Sequence, residues 1–261
     1  MRMSGAPADV SAPIHSELRY WAELARLLVD RRFRSPGRAD GRSPVLLVPG
    51  FMAGDASLAV LAGWLRRRGH EVRGSGLRIN VGCAGEMLGH LQGVLARFPE
   101  PAIVIGQSRG GTLARALAAG HPDAVAGVVM LGAPVLDPLA VSASTLRTIR
   151  SLAALGDLGL PGVFSTECRD GACCAAYYDL LRAPLPGSTV ALAVYSRSDA
   201  IVDWRACLDP GAECVEIDGS HCGMAVNATV YRELERTLDR AQVTFRYGPG
   251  SAGSALASLS R

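Results

Sequence analysis

The sequence predicts an α/β domain built on a mostly parallel central sheet, with helices on both faces and a small helical cap insertion. Three observations carry this prediction. Short, continuous apolar runs recur along the chain, each too short for a helix and of the kind buried in parallel strands. Segments with apolar residues at helical spacing lie between them, and that alternation is the pattern of a parallel sheet covered on both faces. The alternation fails once, between Pro134 and Pro186, where Gly and Pro surround two helical stretches.

In chain order, Met1 to Ile14 is a Pro/Ala/Ser-containing stretch expected to be flexible, and residues 15–247 are expected to form the domain. His15 to Arg32 reads as an amphipathic helix with Leu18, Trp21, Ala22, Ala25 and Leu28 on one face. A polar connector, Ser35 to Pro44, leads into the run Val45 to Val48, which Pro49-Gly50 ends abruptly. Leu58, Leu61, Ala62 and Leu65 repeat at helical spacing, with Gly69 placed as a C-cap. Glu71 to Arg73 reads as a short strand, Glu86 to Phe98 as a helix stopped by Pro99, and Ala102 to Ile105 as a buried strand. Gly110 to Ala119 is helical and Val125 to Leu131 is a strand. Within the insertion, about 134–186, Ser144 to Leu155 and Ala172 to Leu181 are helical. Strands Thr189 to Tyr195 and Glu213 to Ile217 follow, then a helix Ala228 to Arg240 with Asn227 as N-cap. The Gly/Ser/Ala-rich tail, residues 248–261, is expected to be flexible.

Composition removes several function classes. All 27 basic residues are Arg, so mechanisms that need a Lys (Schiff-base, pyridoxal and P-loop chemistry) are excluded. The net charge of +3 is small and its basic residues are scattered, so no nucleic-acid partner is expected. The densest run, Arg66-Arg67-Arg68, lies at a helix end, where it complements the helix dipole. The N-terminal stretch has no apolar h-region and no segment is apolar enough to span a bilayer, which points to a cytoplasmic location. Seven cysteines include no C-x-x-C pair. Cys168, Cys173 and Cys174 lie close together and could form a local bridge or a metal site, but free thiols and no bound metal are the expectation.

The chemistry centres on Gly106-Gln107-Ser108-Arg109-Gly110, a G-x-S-x-G motif. A buried strand feeds it and a helix leaves it, which is the setting of a nucleophile elbow. A neutral Ser attacks only when a His takes its proton, and the imidazolium then needs a carboxylate. Of the five His, only His121 and His221 lie well downstream of Ser108. His121 precedes Pro122 at a helix end, whereas His221 sits in a Gly-rich loop after the last expected strand, which makes it the candidate base. Asp199, just past the strand ending at Tyr195, is the favoured acid, with Asp203 and Asp218 as rivals. Negative charge on a tetrahedral intermediate needs two preset backbone donors. The amide of Arg109 is one candidate; the other comes from the turn after Val48, Phe51 being favoured over Met52. The Arg109 side chain is a candidate anchor for the elbow. Phe51, Met52 and Met224 are candidate pocket walls, with core packing as the competing reading.

Four stretches resemble the α/β-hydrolase family, and more narrowly its bacterial lipase-like and esterase-like serine hydrolases: Val48 to Gly54, Gly106 to Gly111, Tyr195 to Trp204 and Gly219 to Asn227. They span about Pro44 to Arg240. The chain departs from many lipases in having Pro49 where a His often precedes the oxyanion Gly. The resemblance implies an eight-stranded fold, a Ser-His-Asp triad and cleavage of a small-molecule acyl ester through an acyl-enzyme, without a cofactor. Thioester hydrolysis or acyl transfer uses the same triad, and a non-catalytic binding protein on the same fold is the alternative class.

Overall fold

The computed structural model describes Ala8, Val10 and residues 12–35, 43–169 and 171–247. The tail from Gly248 and most of the stretch before Ile14 lie outside the described residues. Six strands form one sheet: β1 (Val45–Val48), β2 (Val72–Gly74), β3 (Ala102–Gln107), β4 (Val125–Leu131), β5 (Val190–Tyr195) and β6 (Glu213–Glu216). Their order is β2-β1-β3-β4-β5-β6 and every neighbouring pair is parallel. The resemblance implied eight strands; the described residues hold six, because the described chain before β1 is helical and adds none.

The central strands β1, β3 and β4 are apolar on both sides because both sides are covered. Val45, Leu47, Ile103, Ile105, Val129 and Leu131 face α3 (Ala59–Arg67) and α8 (Ala228–Tyr247). Their sequence neighbours Leu46, Val48, Val104, Val128 and Met130 face α4 (Ala84–Leu95) and α5 (Arg109–Gly120). The period-2 alternation of side chains therefore feeds two separate cores from each strand. The chain runs outward from β1 to β2, then back past β1 to β3. This reversal makes a crevice at the carboxyl ends of β1 and β3, where ligands of open α/β sheets bind.

The first helix departs from its expected orientation. A short 3-10 turn (Ile14–Leu18) leads into α1 (Arg19–Val29), followed by α2 (Arg31–Arg34). The expected inner face is the outer one: Leu18, Trp21 and Leu28 are 71%, 68% and 51% exposed, and Ala22 and Ala25 are exposed as well. Glu23 and Leu27 are buried instead, with Tyr20 and Leu24 packed against the core. The physical reason is the set of backbone N–H groups that the inner face meets, described below.

The arginines at the end of α3 bind backbone carbonyls: Arg66 reaches Val72 O, Arg67 reaches Phe33 O, and Arg68 reaches Arg32 O and Ser35 O. Between β4 and β5 lie α6 (Ala143–Asp157) and α7 (Ala175–Arg182), near the expected bounds. They occupy different places. Tyr177 and Leu181 of α7 join the core under α4 and α5, and Tyr177 Oη donates to Thr112 Oγ1 at 2.7 Å. α6 packs instead through Leu146 and Ile149 with Val141 and Val202 in a separate small cluster.

Candidate active site

β3 runs straight into α5, and Ser108 is the single residue between them. Its φ of 53° and ψ of −125° lie in a region that side chains avoid, as a nucleophile elbow requires. The strain is held by backbone bonds: Ser108 N–H donates to Leu131 O at 2.7 Å, and Gly111 N–H donates to Ser108 O at 2.8 Å. The motif's glycines are dictated by space. A Cβ on Gly106 would lie 2.2 Å from Gly110 O, and one on Gly110 would lie 2.2 Å from Val48 O. Either contact is far inside van der Waals distance, so the strand–helix crossing closes only without side chains there.

His221 follows β6 and is buried. Its Nδ1 lies 2.6 Å from Asp199 Oδ2. Asp199, also buried, accepts from Ile201 N–H and Val202 N–H at 2.8 Å each through its other oxygen, which fixes the carboxylate. Two influences oppose each other at the imidazole. Burial disfavours its charged form, while the charge and hydrogen bond of Asp199 favour it; the net result is a pKa above the ordinary 6.5. The rival acids are occupied elsewhere. Asp203 caps the turn after it through Arg205 N–H, and Asp218 is paired with Arg19 at 2.8 Å.

Ser108 and His221 line one cavity of about 870 Å³, together with Gly50, Phe51, Met52 and Arg109. Among the described residues no hydrogen bond joins Ser108 to His221. Catalytic serine–histidine contacts are commonly long in a site without substrate. The elbow and the His loop are nevertheless tied together, since Gln107 Nε2 donates to His221 O at 3.0 Å.

The turn after β1 separates the two oxyanion candidates. Met52 N–H is committed to Asn80 O at 3.2 Å, and Met52 itself has a φ of 58°. Among the described residues the N–H groups of Phe51 and Arg109 donate to nothing. Asn80, buried and absent from the sequence reading, also donates its Nδ2 to Pro49 O at 2.8 Å. The Arg109 guanidinium donates to Asn80 O and Gly82 O, so it anchors the elbow to the segment that shapes this turn.

Of the three candidate wall residues, Phe51 and Met52 line the cavity. Met224 is a correction: it is fully buried in the core beside Val226 and Val230, beneath the His loop, and does not line the cavity. The small size of Gly132 leaves room above it, since a Cβ there would meet both His221 Nδ1 and Met224 Sδ at 3.0 Å. The remaining walls are mainly apolar and include Leu146, Ile149 and Ala153 of α6, with Phe164 and Ile201.

Glu17 and Glu23 are further residues that the sequence did not single out. Glu17 accepts from Ala200 N–H, His221 N–H and Cys222 N–H at 3.2, 3.1 and 2.8 Å. Glu23 accepts from Ser220 N–H at 2.9 Å. Gly223 admits this carboxylate, because a Cβ there would lie 1.8 Å from Glu23 Oε2. An apolar inner face along the 3-10 turn and α1 would leave four N–H groups of the Asp and His loops without acceptors. This is why the carboxylates point inward and Trp21 points out. Only their position, next to an apolar stripe at helical spacing, marked them in the sequence.

Residues 91–155 match the model of the alpha/beta hydrolase fold family. The chain has the α/β-hydrolase fold. Solved structures similar to it include the lipase BlEst2 of Bacillus licheniformis, at 14% identity and TM-score 0.54, covering 78% of this chain and 94% of that one. The carboxylesterase CesB of Bacillus subtilis aligns at 13% identity and TM-score 0.50, covering 90% and 99%. A structure from work on carboxylesterases of the thaumarchaeon Nitrososphaera gargenis aligns at 16% identity and TM-score 0.53, covering 78% and 92%. No curated protein sequence matches the chain. No helix among the described residues is long and apolar enough to cross a membrane.

Proposed function

We propose that this α/β-hydrolase-fold chain is a serine hydrolase that cleaves carboxylic esters of small molecules. One observation carries the reading: a strained Ser108 and a His221 already paired to a buried carboxylate line the same largely apolar cavity. The similarity to bacterial lipases and carboxylesterases agrees with it.

In this reading His221 Nε2 takes the Ser108 proton as Oγ attacks the acyl carbon. Nδ1–H stays on Asp199, which stabilises the imidazolium that forms. The N–H groups of Phe51 and Arg109, free of other acceptors, receive the charge on the acyl oxygen. His221 then protonates the leaving alkoxide, and a water deprotonated by the same imidazole releases the acid. The apolar residues of α6 hold the acyl or alcohol group. The stretch 134–186 thereby supplies a cap, chiefly through α6 and Phe164, while α7 belongs to the layer that supports the sheet.

The test is a chain-length series of nitrophenyl esters on wild type and Ser108→Ala, with a fluorophosphonate probe on both. Hydrolysis and labelling that both vanish in the variant support the reading. A wild type that is neither labelled nor active on any ester would leave the binding-protein alternative.

A further inference from the structure

Four cysteines from separate stretches of the chain meet beside the cavity. Cys83 is the N-cap of α4. Cys168 lies in the 3-10 turn Thr166–Arg169, and Cys173 and Cys174 lie in the 3-10 turn Ala172–Cys174. Their four sulfurs all lie within 4.8 Å of one another. Cys174 Sγ is 3.4 Å from Cys83 Sγ and 3.9 Å from Cys173 Sγ. Thiolates at about 2.3 Å from a tetrahedral zinc ion stand about 3.8 Å apart, so these spacings bracket the edge of a tetrathiolate site. They are too short for a multi-iron cluster, whose metal–sulfide body holds its cysteines farther apart.

A helix start stands beside the cluster. Cys83 immediately precedes the first turn of α4, whose N–H groups have no partners within the helix. N–H groups at a helix start favour a thiolate over a thiol and orient metal-bound sulfur. Gly85 is needed for the approach, because a Cβ there would lie 1.9 Å from Cys173 O. The Arg109 guanidinium lies half-buried over the Phe164 ring. Among the described residues it has no carboxylate within 4 Å. Its partner Gly82 precedes Cys83, so a zinc tetrathiolate, with two negative charges, places a counter-ion beside this half-buried cation.

We infer that Cys83, Cys168, Cys173 and Cys174 form a zinc site that staples the two short turns carrying Cys168, Cys173 and Cys174 to the start of α4 at the cavity's edge. One Zn²⁺ replaces the protons of four thiols, which are released to solvent, and no electrons move. The role is structural, since all four positions of the ion are filled by protein and none is left for water or substrate. The spacing alone hid the site: three ligands are crowded into one loop and the fourth lies far upstream, outside any paired C-x-x-C pattern.

Elemental analysis of wild-type protein, purified under reducing conditions with zinc supplied, should find one zinc per chain. Exchange for Co²⁺ should give thiolate-to-cobalt charge-transfer absorption and the intense visible bands of a tetrahedral sulfur site. The double variant Cys83→Ser/Cys174→Ser should lose both, whereas Cys214→Ser, at an exposed cysteine outside the cluster, should keep both. Wild type that stays metal-free with excess zinc would overturn the inference. So would a disulfide between two of Cys83, Cys168, Cys173 and Cys174, mapped by peptide mass analysis of protein isolated without reductant. If the double variant fails to fold, the metal content and cobalt spectrum of wild type decide alone.

Discussion

The two halves of the candidate site are held in place by different means. The turn that presents Ser108 is held chiefly by its immediate sequence: a strand, two glycines without room for a side chain, and a helix that starts at the next residue. The loop that presents His221 is held from a distance. Its N–H groups end on Glu17 and Glu23, separated from it by 204 and 197 positions. Met224 lies beneath it, and Asp199 and Gln107 of the elbow also hold it. A strained turn must carry its own constraint, because little else can force φ positive at a serine. A flexible Gly-rich loop accepts whatever shape its acceptors impose, and carboxylate acceptors impose it strongly.

The largest effect should come from breaking the local half. Gly106→Ala puts a Cβ 2.2 Å from Gly110 O and should yield little folded protein, as read by soluble expression and circular dichroism. Ser108→Ala leaves the turn in place. It should lower ester hydrolysis by about 10³-fold or more with an unfolding midpoint close to that of wild type.

Next comes the charge behind the imidazole. Asp199→Asn should lower kcat/KM by about 10³–10⁴-fold. It should also move the acidic limb of the pH profile. With Asp199 present the His221 pKa lies above 6.5, so activity rises with pH through a value above 6.5. With Asn the burial remains and the favourable charge is gone, so the limb should move to lower pH. The stability linkage has the opposite sense. A folded-state pKa raised above 6.5 adds stability that is complete below about pH 6.5 and is lost as pH rises through the folded pKa. Urea titrations of wild type and Asp199→Asn across this range read the difference.

The distant half should fail more gently. Glu17→Ala removes a charged acceptor from three N–H groups and should cost about 1.5–3 kcal/mol of unfolding free energy. kcat should fall with little change in KM, and Glu17→Gln, which keeps an acceptor oxygen, should recover part of both. An unchanged kcat in Glu17→Ala would mean that the His loop holds its shape unaided, and the contrast between the halves would collapse. The smallest effect is expected on the outer face of the adjoining helix α1. Trp21→Ala should change stability by about 0.5 kcal/mol or less, whereas Leu27→Ala, in the core, should cost about 2–5 kcal/mol.

What was legible in the sequence follows the same division. The buried strands announced themselves because an apolar run bounded by Gly or Pro has few other places to go. The elbow was legible because its glycines are a steric requirement over five consecutive residues. Asp199 could be preferred over Asp203 and Asp218 from its position just past β5. The inner face of α1 was misread, because apolar periodicity marks a face suited to burial and says nothing about unsatisfied N–H groups on the other side. Asn80 and Gln107 gave no signal, since a lone amide becomes structural only through the carbonyls it meets.

By itself, then, the sequence determined the sheet, the layers around it and the strained serine, since these arise from short-range sterics and the burial of contiguous apolar residues. Only the tertiary structure decided which carboxylates brace the His loop, which amide beside Gly50 stays free, that Met224 is core and not wall, and that Cys83 joins three cysteines from another loop. Each of those depends on directional contacts between groups far apart along the chain, and hydrogen-bond and metal-ligand geometry is fixed by where the backbone brings the atoms, not by their spacing in sequence.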